Sequence, residues 1–174
     1  SMFTGSIVAL VTPFTDEGEI DYAALDGLVE FHLANGKDGL VVAGTTGESA
    51  TLTKPEFRDL LAAVIRRVGG AVPVLAGTGS AATSVAVEQT RQASDLGADG
   101  AWVVTPYDNR PMQVGLEAHF TAVADAATVT VLLYKVPSRT AVVMLPVTVE
   151  RLAALPRIVG IKEARTQPGR IEEL

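Results

Sequence analysis

The chain has 174 residues, 48% of them hydrophobic and 20% charged, with a formal net charge of -6. Such a composition supports a sizeable core and excludes a disordered chain. The negative balance, without a basic stripe interleaved with aromatics, argues against nucleic acid as a partner. The absence of cysteine excludes disulfides, thiolate zinc sites and a cysteine nucleophile, and agrees with a cytoplasmic location. No apolar run reaches the ~18 residues of a membrane span, and no charged segment followed by an apolar one marks a signal peptide.

Met2 is expected to be the natural start, with Ser1 an added residue. The first apolar run is Ser6–Val11, and a helical pattern near Tyr22–Asn35 follows, closed by Asn35-Gly36. Gly39–Ala43 reads as a second buried strand and leads into Gly44-Thr45-Thr46-Gly47-Glu48-Ser49. Thr53-Lys54-Pro55-Glu56 then has the form of a capping box and opens a helix over Lys54–Val68.

The same alternation continues with strands at Val72–Ala76, Ala101–Thr105, Val129–Tyr134 and Ile158–Lys162. Helices are predicted near Thr83–Leu96, Val114–Ala126 and Pro146–Leu155. His32 and His119 stand without metal-ligand spacing inside helical patterns, so packing roles are expected of both.

Strict alternation of short apolar strands with helices predicts a parallel sheet covered by helices. Thr12, Gly44–Glu48, Thr78, Thr105–Asn109, Tyr134–Thr140 and Lys162 all follow or end strands. That distribution favours an α/β fold of the (β/α)8 TIM-barrel type, whose chemistry gathers at the C-terminal strand ends. Only about six βα units are present. The expectation is therefore one partial barrel domain over residues 1–174, without strands seven and eight or any C-terminal helical domain. Unpaired edges on strands one and six would favour a homo-oligomer.

Lys162 interrupts the apolar run Ile158-Val159-Gly160-Ile161. Facing a barrel interior, its amine would lose hydration, which favours the neutral, nucleophilic form that makes a Schiff base. A lysine on a strand also serves as an edge gatekeeper, so the residue by itself leaves both readings open. In Gly44–Ser49 the glycines permit close backbone approach and the hydroxyls of Thr45 and Thr46 lie beside amides, a combination able to hold a carboxylate. The same composition also describes an ordinary strand-to-helix turn. Tyr134 could relay protons and Arg139 could fork onto a carboxylate, or they could be a core aromatic and a solvated charge.

Several segments occur in one linked order. They are the opening Met2-Phe3-Thr4-Gly5-Ser6-Ile7-Val8-Ala9-Leu10-Val11-Thr12-Pro13, then Gly39 through Glu48 with Glu56 beyond, and Thr105-Pro106-Tyr107-x-Asn109-Arg110-Pro111. Tyr134-x-Val136-Pro137-Ser138-Arg139-Thr140 and Gly160-Ile161-Lys162-Glu163-Ala164 complete the set. Together they resemble the dihydrodipicolinate synthase family, the pyruvate-dependent class I aldolases that include N-acetylneuraminate lyase. The resemblance runs over the whole chain and corresponds to about the first three-fifths of a family member.

It implies that Lys162 forms the Schiff base with pyruvate and that Tyr134 relays protons beside it. Thr45 would bond that phenol, Thr46 and Gly47 would bind the pyruvate carboxylate, and Arg139 would hold the carboxylate of the second substrate. The combination of GTTGE with PSRT resembles the synthases that condense pyruvate with aspartate semialdehyde, on the route to lysine and diaminopimelate. No cofactor or metal is implied, because the protonated imine is itself the electron sink. The implied partners are pyruvate and a small aldehyde acid.

Three departures qualify the resemblance. Asp108 stands after Tyr107 where the family usually has a second tyrosine, which removes one relay phenol and its contact with a neighbouring subunit. Lys135 replaces a small polar residue, and strand alternation is expected to point it away from Lys162. Length is the third, since a site without its supporting shell loses rate. Val85 stands where lysine-inhibited members carry a glutamate, so feedback by lysine is not expected. The alternatives are another keto-acid aldolase of the same family and a catalytically impaired, truncated pseudoenzyme.

Overall fold

A computed structural model describes residues 3–106, 112–135 and 144–163. Among them six strands alternate with helices, the order of a (β/α)8 TIM-barrel fold represented by six of its strands. Contacts divide the chain into two compact units, Ser1–Gly77 with Gln92–Gly100, and Thr78–Arg91 with Ala101–Leu174. Each has its own apolar core.

In the first unit β1 (Ile7–Ala9), β2 (Gly39–Val42) and β3 (Val74–Gly77) form parallel pairs, with Ile7 opposite Gly39 and Leu40 opposite Val74. Gly39–Val42 and Val74–Gly77 are buried throughout, which is why they read as continuous apolar runs rather than alternating ones. Leu40, Val42 and Val74 pack with Leu25 and Val29 of α1 (Tyr22–Ala34) and with Phe57, Leu60, Leu61 and Val64 of α2 (Lys54–Val68). Each such side chain contributes about 1.5–3 kcal/mol by leaving water.

The start of α2 carries the predicted capping box. The Thr53 hydroxyl accepts from the Glu56 amide at 3.2 Å, and the Glu56 carboxylate accepts from the Thr53 amide at 2.9 Å. The Thr53 amide, and after it the Thr53 hydroxyl, hold the Glu56 carboxyl below its ordinary value. A one-turn 3-10 helix at Ser49–Thr51, which no sequence pattern announced, leads into it. Asp99 closes the unit, its carboxylate accepting from the Val74 amide while its own amide donates to the Val74 carbonyl, both at 2.8 Å.

The second unit contains the first turns of α3 (Thr83–Leu96), most of β4 (Gly100–Val104), α4 (Gln113–Ala126), β5 (Thr130–Lys135), α5 (Pro146–Ala153) and β6 (Ile158–Glu163). Ala101, Val103, Val131, Leu133 and Ile158 pack with Leu116, Phe120 and Val123 of α4 and with Val149 and Leu152 of α5. The Gln113 side-chain carbonyl ties the two helix starts together, accepting from the Leu145 amide at 2.9 Å and the Thr148 hydroxyl at 2.7 Å. β5 and β6 are parallel, with a register shift at Val131/Leu132. Val131 lies opposite Ile158, yet Leu132 lies opposite Gly160 and Tyr134 opposite Lys162. Among the described residues no helix is long and apolar enough to cross a membrane.

Candidate functional site

In the first unit the turn after β2 is shaped by backbone. Ala43, 1% exposed, has φ +54°, and Glu48 has φ +58°, both in the left-handed region that side chains disfavour. Gly77, at the end of β3, lies so close to Ala43 that a Cβ there would overlap the Ala43 carbonyl. Gly47 is also approached, less closely, by the segment just after β1, since a Cβ on it would sit 2.9 Å from the Leu10 carbonyl oxygen. The buried Thr12 hydroxyl donates to the Gly47 carbonyl at 2.7 Å.

Within the turn, the Gly47 and Ser49 amides donate to the Gly44 carbonyl at 3.0 and 3.3 Å, and the Glu48 amide to that of Thr45 at 3.1 Å. The amides of Thr45 and Thr46 are not drawn into these three bonds. Thr45 is half-buried and Thr46 exposed. The turn is thus held in shape by its own backbone bonds.

In the second unit Tyr134 and Lys162 come together at the C-terminal ends of β5 and β6. They are register partners, and the Lys162 Nζ lies 4.6 Å from the centroid of the Tyr134 ring. Trp102 of β4 joins them, its ring 5.3 Å from that of Tyr134 at a 47° tilt and 5.4 Å from the Lys162 Nζ.

Sequence reading missed Trp102. An aromatic inside an apolar strand looks like core, and only the alternation of β4 could have signalled otherwise. Ala101 and Val103 enter the helix-side core while Trp102, between them, does not.

Lys162 itself is exposed rather than dehydrated as expected. Among the described residues β6 pairs with β5 alone, so the two rings cover one side of the amine. Lys135 lies on the opposite face from Tyr134, as alternation predicts, but it is 0% exposed against the helix side and not directed into solvent. Arg139, Tyr107 and Asp108 lie outside the described residues.

The histidines take packing positions. His119 is buried in α4 with its Nδ1 2.8 Å from the Thr83 hydroxyl and its ring edge-on to Phe120. Burial pushes its imidazole below the ordinary value. His32 meets Phe31 edge-to-face. Among the described residues no three His, Asp or Glu side chains are grouped to hold a metal.

Parallel βα units with a backbone-constrained turn after β2 and a lysine–tyrosine pair closing β5 and β6 place the chain among TIM-barrel-type α/β proteins with polar strand ends. The chain belongs to the dihydrodipicolinate synthetase family, whose model matches residues 2–174. It is 49% identical over 173 residues to the 4-hydroxy-tetrahydrodipicolinate synthase of Coxiella burnetii, covering 99% of this chain and 60% of that protein.

Among solved structures it is similar to the dihydrodipicolinate synthase of Aquifex aeolicus, with a TM-score of 0.95, 47% identity, and coverage of 98% of this chain and 58% of that one. It is also similar to the dihydrodipicolinate synthase of Acinetobacter baumannii complexed with pyruvate, with a TM-score of 0.89, 46% identity, and coverage of 91% and 54%. The chain therefore spans about 60% of the length of the curated relatives it matches.

Proposed function

We propose that this chain carries the keto-acid half of a pyruvate-dependent class I aldolase, of the type that condenses pyruvate with aspartate semialdehyde. The observation that carries the reading is the register pairing of Tyr134 with Lys162, which puts an amine 4.6 Å from the ring of a phenol at the ends of two parallel strands. The relatives' shared name and the pyruvate in one similar structure support it. Residues 1–174 act in this reading as a partial barrel domain, and oligomerisation through strand edges completes it.

The Lys162 amine attacks the keto carbon of pyruvate and gives a carbinolamine, which loses water to leave a protonated imine. Removal of a methyl proton yields the enamine, with Tyr134 as the relay and Thr45 in the role that the family resemblance gives it. Thr46 and Gly47 present the turn to the pyruvate carboxylate, and Arg139 takes the carboxylate of the aldehyde acid. The enamine carbon then attacks the aldehyde.

Borohydride trapping with pyruvate, followed by peptide mapping, tests this directly. A reduced pyruvyl adduct confined to Lys162 and lost in Lys162→Ala is the expected result; a folded chain without that adduct overturns it. The exposure of Lys162 favours a second reading, a catalytically impaired form that makes the imine and does not turn it over. Trapping that succeeds while condensation with aspartate semialdehyde fails would select it. Condensation with a different aldehyde would instead select another keto-acid aldolase of the family.

A further inference from the structure

The geometry points to Trp102 as a cation-stabilising residue of the lysine site, the wall on which the charged forms of the Lys162 amine rest. Three observations carry it. The side chains flanking Trp102 on β4, Ala101 and Val103, are 0% exposed in the helix-side core, whereas Trp102 is turned to the other face and remains half-buried. On that face it meets Tyr134 at 5.3 Å with the rings tilted by 47°, so the two form an open wedge rather than a stack. The Lys162 Nζ occupies the wedge, 5.4 Å from one ring and 4.6 Å from the other. Both distances fall within the ~6 Å over which a ring quadrupole attracts a cation. A tryptophan that served only to fill space would have no reason to share its face with an ammonium group.

The consequence follows from charge balance. An ammonium and a ketone combine to give a protonated imine and one water. The nitrogen gives up a proton to attack, a proton returns as the carbinolamine loses water, and the positive charge is on the same nitrogen at the start and at the end. The exposed resting ammonium keeps water as a competing partner, whereas the planar imine is less hydrated, so ring faces at that nitrogen favour the imine over the resting lysine. The rings also limit the directions in which the side chain can swing. Tyr134 is committed to moving protons through its hydroxyl, whereas the indole has no titratable group and acts by its face alone. This step deepens the proposed function and rests on Lys162 forming the imine.

Trp102 is the chain's single tryptophan, so its emission reports on the wedge without a label. Lys162→Met removes the cation and leaves a side chain of similar length. The emission of this variant and of the unmodified chain should differ in buffer alone, and identical spectra would overturn the contact. Pyruvate with cyanoborohydride should then change the emission of the unmodified chain and leave Lys162→Met unaltered.

In Trp102→Leu the pyruvate concentration giving half-maximal adduct should rise about 3- to 30-fold, the range spanned by exposed and desolvated cation–π contacts. The maximal yield should hold and the circular dichroism should match that of the unmodified chain. Trp102→Phe, which keeps a ring face, should stay within about threefold. A Trp102→Leu chain that traps pyruvate as readily as the unmodified one overturns the proposal and leaves the imine chemistry standing. If the unmodified chain forms no adduct, the imine reading falls. The wall then stands or falls on the difference between the emission of that chain and of Lys162→Met in buffer.

Discussion

At Gly44–Glu48 the main chain is locked. Ala43 just before it and Glu48 at its end are held at positive φ, Gly77 allows no side chain beside Ala43, and the buried Thr12 hydroxyl from beyond β1 donates to the Gly47 carbonyl. At Tyr134 and Lys162 the main chain is ordinary parallel strand, and what defines the site is the meeting of ring faces with an amine. The difference matches the two tasks proposed for them. A carboxylate is recognised by N–H groups whose directions must be set before it arrives. An amine that attacks a carbonyl and then becomes part of a planar imine must move, so a soft contact that follows the charge suits it better than a rigid bond.

Tyr134→Phe should separate contact from chemistry at the second region most widely. The ring face remains, so trapping of pyruvate on Lys162 should change by no more than about threefold, within the range of a weak cation–π contact. Exchange of the pyruvate methyl protons with deuterium, followed by NMR, should slow by about 100-fold or more, because the relay hydroxyl is gone. Equal losses in both readouts would show that the phenol acts only as a wall.

At the locked turn, Gly77→Ala should destabilise the first unit by about 3 kcal/mol, since the added methyl meets a carbonyl that has nowhere to retreat. A urea titration read by hydrogen exchange in peptides spanning Gly39–Ser49 would measure it, and an unchanged midpoint would mean the turn yields. Thr12→Val deletes only the buried hydroxyl and leaves the Gly47 carbonyl without that donor, for about 1–2 kcal/mol. Faster exchange confined to the turn is expected, with Thr12→Ser restoring the slow rate.

The smallest effect concerns the support beneath the second region. Burial lowers the His119 imidazole, so the unfolded chain takes up the proton first. Its contribution to stability is present in full above the unfolded value, declines as the pH falls below that value, and is gone once the pH has passed the folded one. The slope cannot exceed about 1.4 kcal/mol per pH unit. His119→Gln, which can still pair with the Thr83 hydroxyl, should flatten the fall in melting temperature between about pH 7 and pH 5. A variant that falls as steeply as the unmodified chain would assign the acid sensitivity elsewhere.

The strand and helix spans were legible because their signals are local. Val68 closes α2 where the periodicity ends, and Thr53 with Glu56 announces a capping box whose two bonds both form. Lys162 and Tyr134 were legible as a pair through the resemblance of their motifs. What escaped was set by approach rather than by periodicity. The positive φ of Ala43 depends on a glycine 34 positions later, and Thr12 aims its hydroxyl at a carbonyl 35 residues away. The exposure of Lys162 depends on what covers β6, and no pattern within the strand encodes that.

The register shift between β5 and β6 works like a reading frame. Ile158 belongs to the helix-side core opposite Val131. Counted in strict alternation from there, Lys162 would share Ile158's face and stand opposite Lys135. The one supernumerary residue, Val159, resets the count and delivers the amine to Tyr134 while sparing it a second ammonium. Excising Val159 would leave the frame intact, whereas adding a single residue between Gly160 and Lys162 would turn the amine into the apolar core. The chemistry of this chain is therefore more vulnerable to an indel at one strand position than to many substitutions around it.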